Sequence, residues 1–281
     1  MKELLQSLLN EGVQEGCFPS AAAAVGCGET VFATAVAGRI SLPDGPLTTV
    51  ETRYDMASCS KILSPTILAL MVLEKGLLTL DDTVGDYFPA PDATKDITIR
   101  QLMTHTSGIN PHILLEEQTD DPKNVLNVIL NAPTVGESGV PRYSCMGYIV
   151  LGKILEKVYG DTLDKLAQKY VFGPLHMTHT CYCPTGETSP QPRLTVPRAR
   201  LGRASYMTKT PASWAAYRPM RVFFRTSTTA FCSRKCWRGM AHRCSQRPRW
   251  TRPSLTTRPA LMCIAGLASI WAGRIAITLA I

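Results

Sequence analysis

Residues 188–281 contain no aspartate and no glutamate. The same 94 residues hold 17 of the 30 Lys and Arg, fifteen of them Arg, and all four Trp. Residues 1–187 carry the other 13 basic residues and all 22 acidic ones, so the formal charge is −9 before the seam at Glu187 and +17 after it. A folded domain ordinarily mixes both signs over its surface, and an acid-free stretch of this length does not. The chain is therefore read as two parts, 1–187 and 188–281. Its average composition, 45% apolar and 19% charged, excludes a disordered or collagen-like chain and provides for a sizeable core.

The first part alternates strand and helix signals. Leu4, Leu5, Leu8, Leu9 and Val13 recur at helical spacing up to Gly16. Residues 20–25 and 30–37 are apolar runs joined by Gly26-Cys27-Gly28-Glu29, which predicts a β-hairpin. A second helix is expected from Ser58 to Gly76, kinked or delayed by Pro65. A short one is expected over 97–103, stopped by Thr106-Ser107-Gly108, then a long one over 146–159 and another over 161–172 capped by Asp161. A hairpin followed by a block of helices is the front half of an α/β (α+β) enzyme. Residues 1–16 carry acids and lack a continuous apolar stretch, so no cleavable signal peptide is expected and the chain is read as cytoplasmic. Six cysteines in this part without framework spacing agree with that reading.

Ser58-Cys59-Ser60-Lys61 is an S-x-x-K sequence at the head of an apolar helix. Positions i and i+3 share a helix face, so the Lys61 amine can reach the Ser58 hydroxyl, and the helix N-terminus favours a developing alkoxide. Two fixed positions in four recur by chance about once in a chain of this size, and Ser58 as a helix cap with a solvated Lys61 is the plain alternative. The Cys181-x-Cys183 pair with His176 and His179 lacks the C-x-x-C spacing of zinc sites and is read as a loop. His105, in a His-Thr-Ser-Gly turn, is read as structural, with Thr106 and Ser107 bonding backbone.

Five segments in order carry a resemblance: 54–61 (YDMASCSK), 73–84 (LEKGLLTLDDTV), 97–108 (ITIRQLMTHTSG), 143–152 (YSCMGYIVLG) and 174–178 (PLHMT). Together they resemble the serine β-lactamase and penicillin-binding-protein-like family, class C type. The resemblance implies an antiparallel sheet flanked by helices with an added helical region. It further implies a serine hydrolase that forms an acyl-enzyme on an ester, amide or β-lactam, with a small-molecule substrate and no metal or cofactor. Carried over by position, Ser58 is the nucleophile, Lys61 its base partner, and Tyr143 the tyrosine of the family's Y-x-N motif. The third position of that motif is Cys145 here. A thiol donates and accepts only weakly where an amide does both, which shifts the expectation from β-lactam turnover towards an esterase.

For residues 188–281 three readings compete. One is a basic arm for nucleic acid, with Arg234, Lys235, Arg238, Arg243, Arg247, Arg249 and Arg252 around Trp237 and Trp250. Another is a membrane tail over 260–281, apolar apart from Arg274. Neither explains the missing acids. The third is a one-base change of frame near Glu187. Joining the last base of each codon to the first two of the next forces Asp at Met207/Thr208 and Gly at Trp214/Ala215, and over 206–224 permits H-D-x-N-A-S-F-L-G-G-I-S-A-N-A-G-V-F. That string resembles the family's continuation. Read in this way, the acid-free third does not fold natively, and neither nucleic acid nor membrane is a partner. The written frame would also lack the family's third-motif strand, K-T-G or H-x-G, leaving the opening hairpin with an unpaired edge and an uncovered face. Such a chain is expected to be unstable or inactive, a remnant rather than an enzyme.

Overall fold

The computed structural model describes residues 1–27 and 30–182, together with the backbone of three strands at 222–225, 267–272 and 275–280. Helix α1 (Lys2–Gln14) leads into strands β1 (Ser20–Cys27) and β2 (Thr30–Gly38), which form the expected antiparallel hairpin with a bulge between Val25 and Gly26. Ala21, Ala23, Ala35 and Ala37 present small side chains on one face, and Leu9 of α1 packs into them with Leu5, Val13 and Phe18 around it. Gly38 lies at φ +84, and a Cβ there would stand 2.0 Å from the Pro19 carbonyl oxygen, so the base of the hairpin admits only glycine.

Strand β3 (Arg53–Asp55) precedes a 3-10 turn (Ala57–Cys59), a π turn (Ile62–Thr66) and α2 (Ile67–Glu74). The wide turn has a local cause. Pro65 has no N–H for the carbonyl of Lys61, and its ring would clash with that carbonyl in a regular helix. Short helices α3 (Val84–Tyr87), α4 (Asp92–Lys95), α5 (Ile99–Thr104) and α6 (Leu115–Gln118) follow, then α7 (Val125–Asn131) and the long α8 (Cys145–Tyr159). Thr98 and Gln101 form a reciprocal capping box that starts α5. This helix stops one residue before the expected Thr106-Ser107-Gly108 signal, at His105 with φ 60. Helix α9 (Leu163–Ala167) and a π turn (Gln168–Phe172) replace the single helix expected from Asp161. Its N-cap is Thr162; Asp161 accepts the Thr162 N–H, and Glu156 reaches over to accept the Leu163 N–H.

The main core forms around α8. Val150, Leu151, Ile154 and Leu155 are fully buried against Leu68 and Val72 of α2, Ile99 and Leu102 of α5, and Ile129 of α7. Each such side chain contributes roughly 1.5–3 kcal/mol by leaving water, which makes α8 the rigid post on which the helical region is hung.

Strands β4 (Cys181–Tyr182), β5 (Val222–Arg225), β6 (Leu267–Ala272) and β7 (Ile275–Ala280) complete two sheets, ordered β2-β1-β7-β6 and β3-β5-β4. Three expectations are corrected here. The hairpin's edge is not unpaired, because β7 pairs antiparallel with β1 from Ala22↔Ala280 to Gly26↔Ala276; its face is covered by α1. Cys181 is in a strand paired to β5 rather than in a loop. The apolar run over 260–281 supplies the β6–β7 hairpin, and no helix among the described residues is long and apolar enough to cross a membrane. Cys183, the basic cluster 234–252 and the frame-shifted string beginning at Tyr206 lie outside the described residues, strand β5 excepted.

Candidate active site

Ser58 and Lys61 are set by what surrounds them. Met56 and Cys59 are buried on either side of Ser58, anchoring the 3-10 turn in the core so that the hydroxyl faces outward. Lys61 follows at the mouth of the π turn and is itself only 4% exposed. A buried ammonium needs an acceptor for each of its three protons. Lys61 Nζ donates to Ser58 Oγ at 3.1 Å, to the Tyr143 hydroxyl at 2.7 Å and to Cys145 Sγ at 3.4 Å. The Tyr143 hydroxyl donates onward to Ser58 Oγ at 2.5 Å, closing a triangle of proton-carrying groups. The structure thus brings together all four residues singled out in the sequence, Ser58, Lys61, Tyr143 and Cys145. Among the described residues no carboxylate pairs with Lys61.

Tyr143 arrives from the far side of the chain, and the His105–Gly108 turn brings it there. Backbone bonds run from the Val135 N–H to the Gly108 carbonyl (2.8 Å), from Gly139 to Thr106 (3.0 Å) and from Arg142 to His105 (2.7 Å), tying the 135–142 segment to the end of α5. Ser107 Oγ accepts the Ile109 N–H, whereas Thr106 bonds the Thr104 hydroxyl rather than backbone. One residue past Tyr143, the Ser144 N–H donates to His105 Nδ1 at 3.2 Å, and α8 starts immediately with Cys145. The site is therefore a junction of the turn before α2, the turn after α5 and the head of α8.

Two aromatic neighbours complete it. The His105 ring lies 4.6 Å from the Tyr143 ring and 5.0 Å from that of Tyr148. Burial, reinforced by the Lys61 charge, pushes the His105 imidazole down to about 4. Tyr148 was not reached from the sequence. Its hydroxyl donates to the Met103 carbonyl at 3.1 Å and meets Thr66 Oγ1 at 3.3 Å, its ring lies 6.0 Å from Lys61 Nζ, and burial raises its phenol. The available signal was its spacing: Tyr148 stands three residues after Cys145 on α8, hence on the same face as the site. Elsewhere no group of three or more His, Cys, Asp or Glu among the described residues could hold a metal ion.

Once it has lost one of its own protons, such an arrangement can accept a proton from a serine hydroxyl and return it to a leaving group, which is the requirement of acyl transfer. Known proteins are similar in sequence or in fold. Protein flp of Staphylococcus aureus is 28% identical over 198 residues, 67% of this chain and 40% of that protein. The fold is similar to a class C beta lactamase from Rhodobacter sphaeroides, with a TM-score of 0.60 and 23% identity over 77% of this chain and 60% of that one. It is similar too to the D-amino acid amidase from Ochrobactrum anthropi SV3, with a TM-score of 0.55 and 22% identity over 64% of this chain and 53% of that one. The chain spans 36–40% of the length of the first curated relatives that it matches. The Beta-lactamase family model matches residues 5–215, running past the charge seam at Glu187. On that match the chain belongs to the Beta-lactamase family.

Proposed function

We propose that the chain is a cytoplasmic serine hydrolase that forms an acyl-enzyme at Ser58 and turns over small-molecule esters in preference to amides or β-lactams, with no metal, cofactor, nucleic acid or membrane partner. The family supports a serine-hydrolase-type function. The observation that carries the reading is the closed triangle of Ser58, Lys61 and Tyr143. In the form that reacts, the Tyr143–Lys61 pair holds one proton fewer than an ammonium and a phenol together, and as Ser58 Oγ attacks the ester carbonyl its proton fills that place. The same pair returns a proton to the departing alkoxide oxygen, so the alcohol leaves neutral and the acyl group stays on Ser58. Water then adds to the acyl-enzyme, gives its proton to the pair, and the carboxylic acid departs as Ser58 regains its hydrogen. Cys145 supports the choice of ester. Its thiol is taken up by Lys61 and offers a substrate amide neither a strong donor nor a strong acceptor.

A fluorophosphonate probe on the purified chain tests the reading. Labelling that Ser58→Ala abolishes, with hydrolysis of a p-nitrophenyl ester faster than of the matching anilide or a chromogenic cephalosporin, is the expected result. A folded chain that takes no label overturns it.

A second reading is supported by the charge seam: an inactive remnant whose gene carries a one-base frame change near the codon for Glu187. The described strands that lie wholly after the seam, β5, β6 and β7, contain neither K-T-G nor H-x-G. Resequencing the codons from Cys183 to Tyr206 decides between an error in the written sequence and a lesion in the gene.

A further inference from the structure

Helix α5 ends at a residue with φ 60 and ψ 33, the left-handed conformation that glycine adopts most easily and a side chain adopts under strain. Seven glycines in the described residues occupy positive φ, among them Gly160 at the same place after α8. At the end of α5 stands a histidine instead, as His176 stands at φ 55 elsewhere, and strain of this kind beside a reactive group points to a role for the side chain.

We infer that His105 is a positioning residue, whose imidazole fixes the Tyr143 hydroxyl between Ser58 and Lys61. Three contacts grip Tyr143 from both sides in sequence. The His105 carbonyl accepts the Arg142 N–H, one residue before it; His105 Nδ1 accepts the Ser144 N–H, one residue after it; and the imidazole ring meets the phenol ring at 4.6 Å. Tyr143 itself is 49% exposed, so packing does not hold it. The left-handed turn is what aims the imidazole back across the end of α5 towards the head of α8. The charged and titratable groups facing the ring are Lys61, Tyr143 and Tyr148. A ring held neutral at physiological pH, with its proton on Nε2, leaves Nδ1 free to accept.

This inference rests on the hydrolase reading, and two variants test it. His105→Gly suits the backbone and removes both acceptor and ring. His105→Asn tolerates the left-handed turn and puts an amide oxygen where Nδ1 stood. A merely structural cap predicts that the glycine variant is as active as the parent. A positioning residue predicts a stable glycine variant with kcat for a p-nitrophenyl ester down by about 30- to 100-fold at unchanged KM, and an asparagine variant within about fivefold of the parent. Parental activity in His105→Gly overturns the inference, and so does an asparagine variant as slow as glycine. If the parent chain takes no fluorophosphonate label, the hydrolase reading fails separately. Positioning is then read from the ¹³Cζ resonance of Tyr143, which moves in His105→Gly and returns in His105→Asn; a resonance indifferent to both overturns it.

Discussion

Replacing Tyr143 with phenylalanine removes one oxygen and leaves the ring in place. That oxygen accepts from Lys61 at 2.7 Å and donates to Ser58 at 2.5 Å. Tyr143 is 49% exposed, so water can take over the vacated position as acceptor for Lys61. The cost to the fold is accordingly small, below about 1 kcal/mol and below about 3 °C in Tm. The reaction has no such substitute, because a mobile water does not hold a proton in line between the serine and the leaving oxygen. Loss of a positioned acid–base group slows turnover by roughly 10²- to 10⁴-fold, equivalent to about 3–5 kcal/mol of barrier. Steady-state hydrolysis of a p-nitrophenyl ester and the rate of fluorophosphonate labelling measure it, with a thermal melt alongside. Both rates are expected to fall while the melt stays. A loss below threefold would mean that Lys61 alone carries the proton, and a fall of more than about 10 °C in Tm would mean that Tyr143 is a member of the fold.

Other residues give sharper tests of the architecture. Ser144 is the N-cap of α8 and is buried, yet among the described residues its hydroxyl has no partner and makes no capping bond. Ser144→Ala is therefore expected to change stability by less than about 0.5 kcal/mol or to raise it, where a working N-cap costs about 1 kcal/mol; a urea titration showing the larger loss would refute this. Gly38→Ala, with its Cβ driven to within 2.0 Å of the Pro19 carbonyl, is expected to lose at least ~2 kcal/mol, seen as a lowered urea midpoint. The His105 imidazole sits at about 4 against an ordinary 6.5, so the unfolded chain binds the extra proton first as pH falls. Its contribution is neutral above pH 6.5 and turns destabilising between 6.5 and 4, by about 1–2 kcal/mol once screening of the partly exposed ring is allowed for. Urea midpoints of the parent should fall more steeply than those of His105→Asn across that window, and parallel curves would count against the burial.

What the sequence made legible was local. The hairpin, the Pro65 break and the long α8 each follow from spacing, a missing N–H or a terminal glycine, all carried within a few residues. The i, i+3 relation of Ser58 and Lys61 is of the same kind, and the resemblance supplied Tyr143, some eighty residues away. What it could not make legible were relations between distant turns. Nothing near His105 announces that its ring meets Tyr143 and Tyr148, because that contact is decided by how α5 and α8 pack, with Leu102 lying against Gly147. The pairing of β7 with β1 escaped for a related reason. Both strands are mostly apolar, Ala22 to Gly26 against Ala276 to Ala280, and no pattern in either one names its partner.

The neighbourhood of β1 and β7 also bears on how the molecule is made. Ala22 and Ala280 come from opposite ends of the chain, yet they are partners in one ladder. Translation at about 5–20 residues per second puts some tens of seconds between the emergence of the first strand and the last. Throughout that interval the outer row of amide and carbonyl groups on β1 stays bare, an open template for any passing strand. The helical region can settle around α8 in the meantime, since its contacts are much shorter in range. The sheet cannot close until β7 has been made, so its assembly comes after that of the helical region.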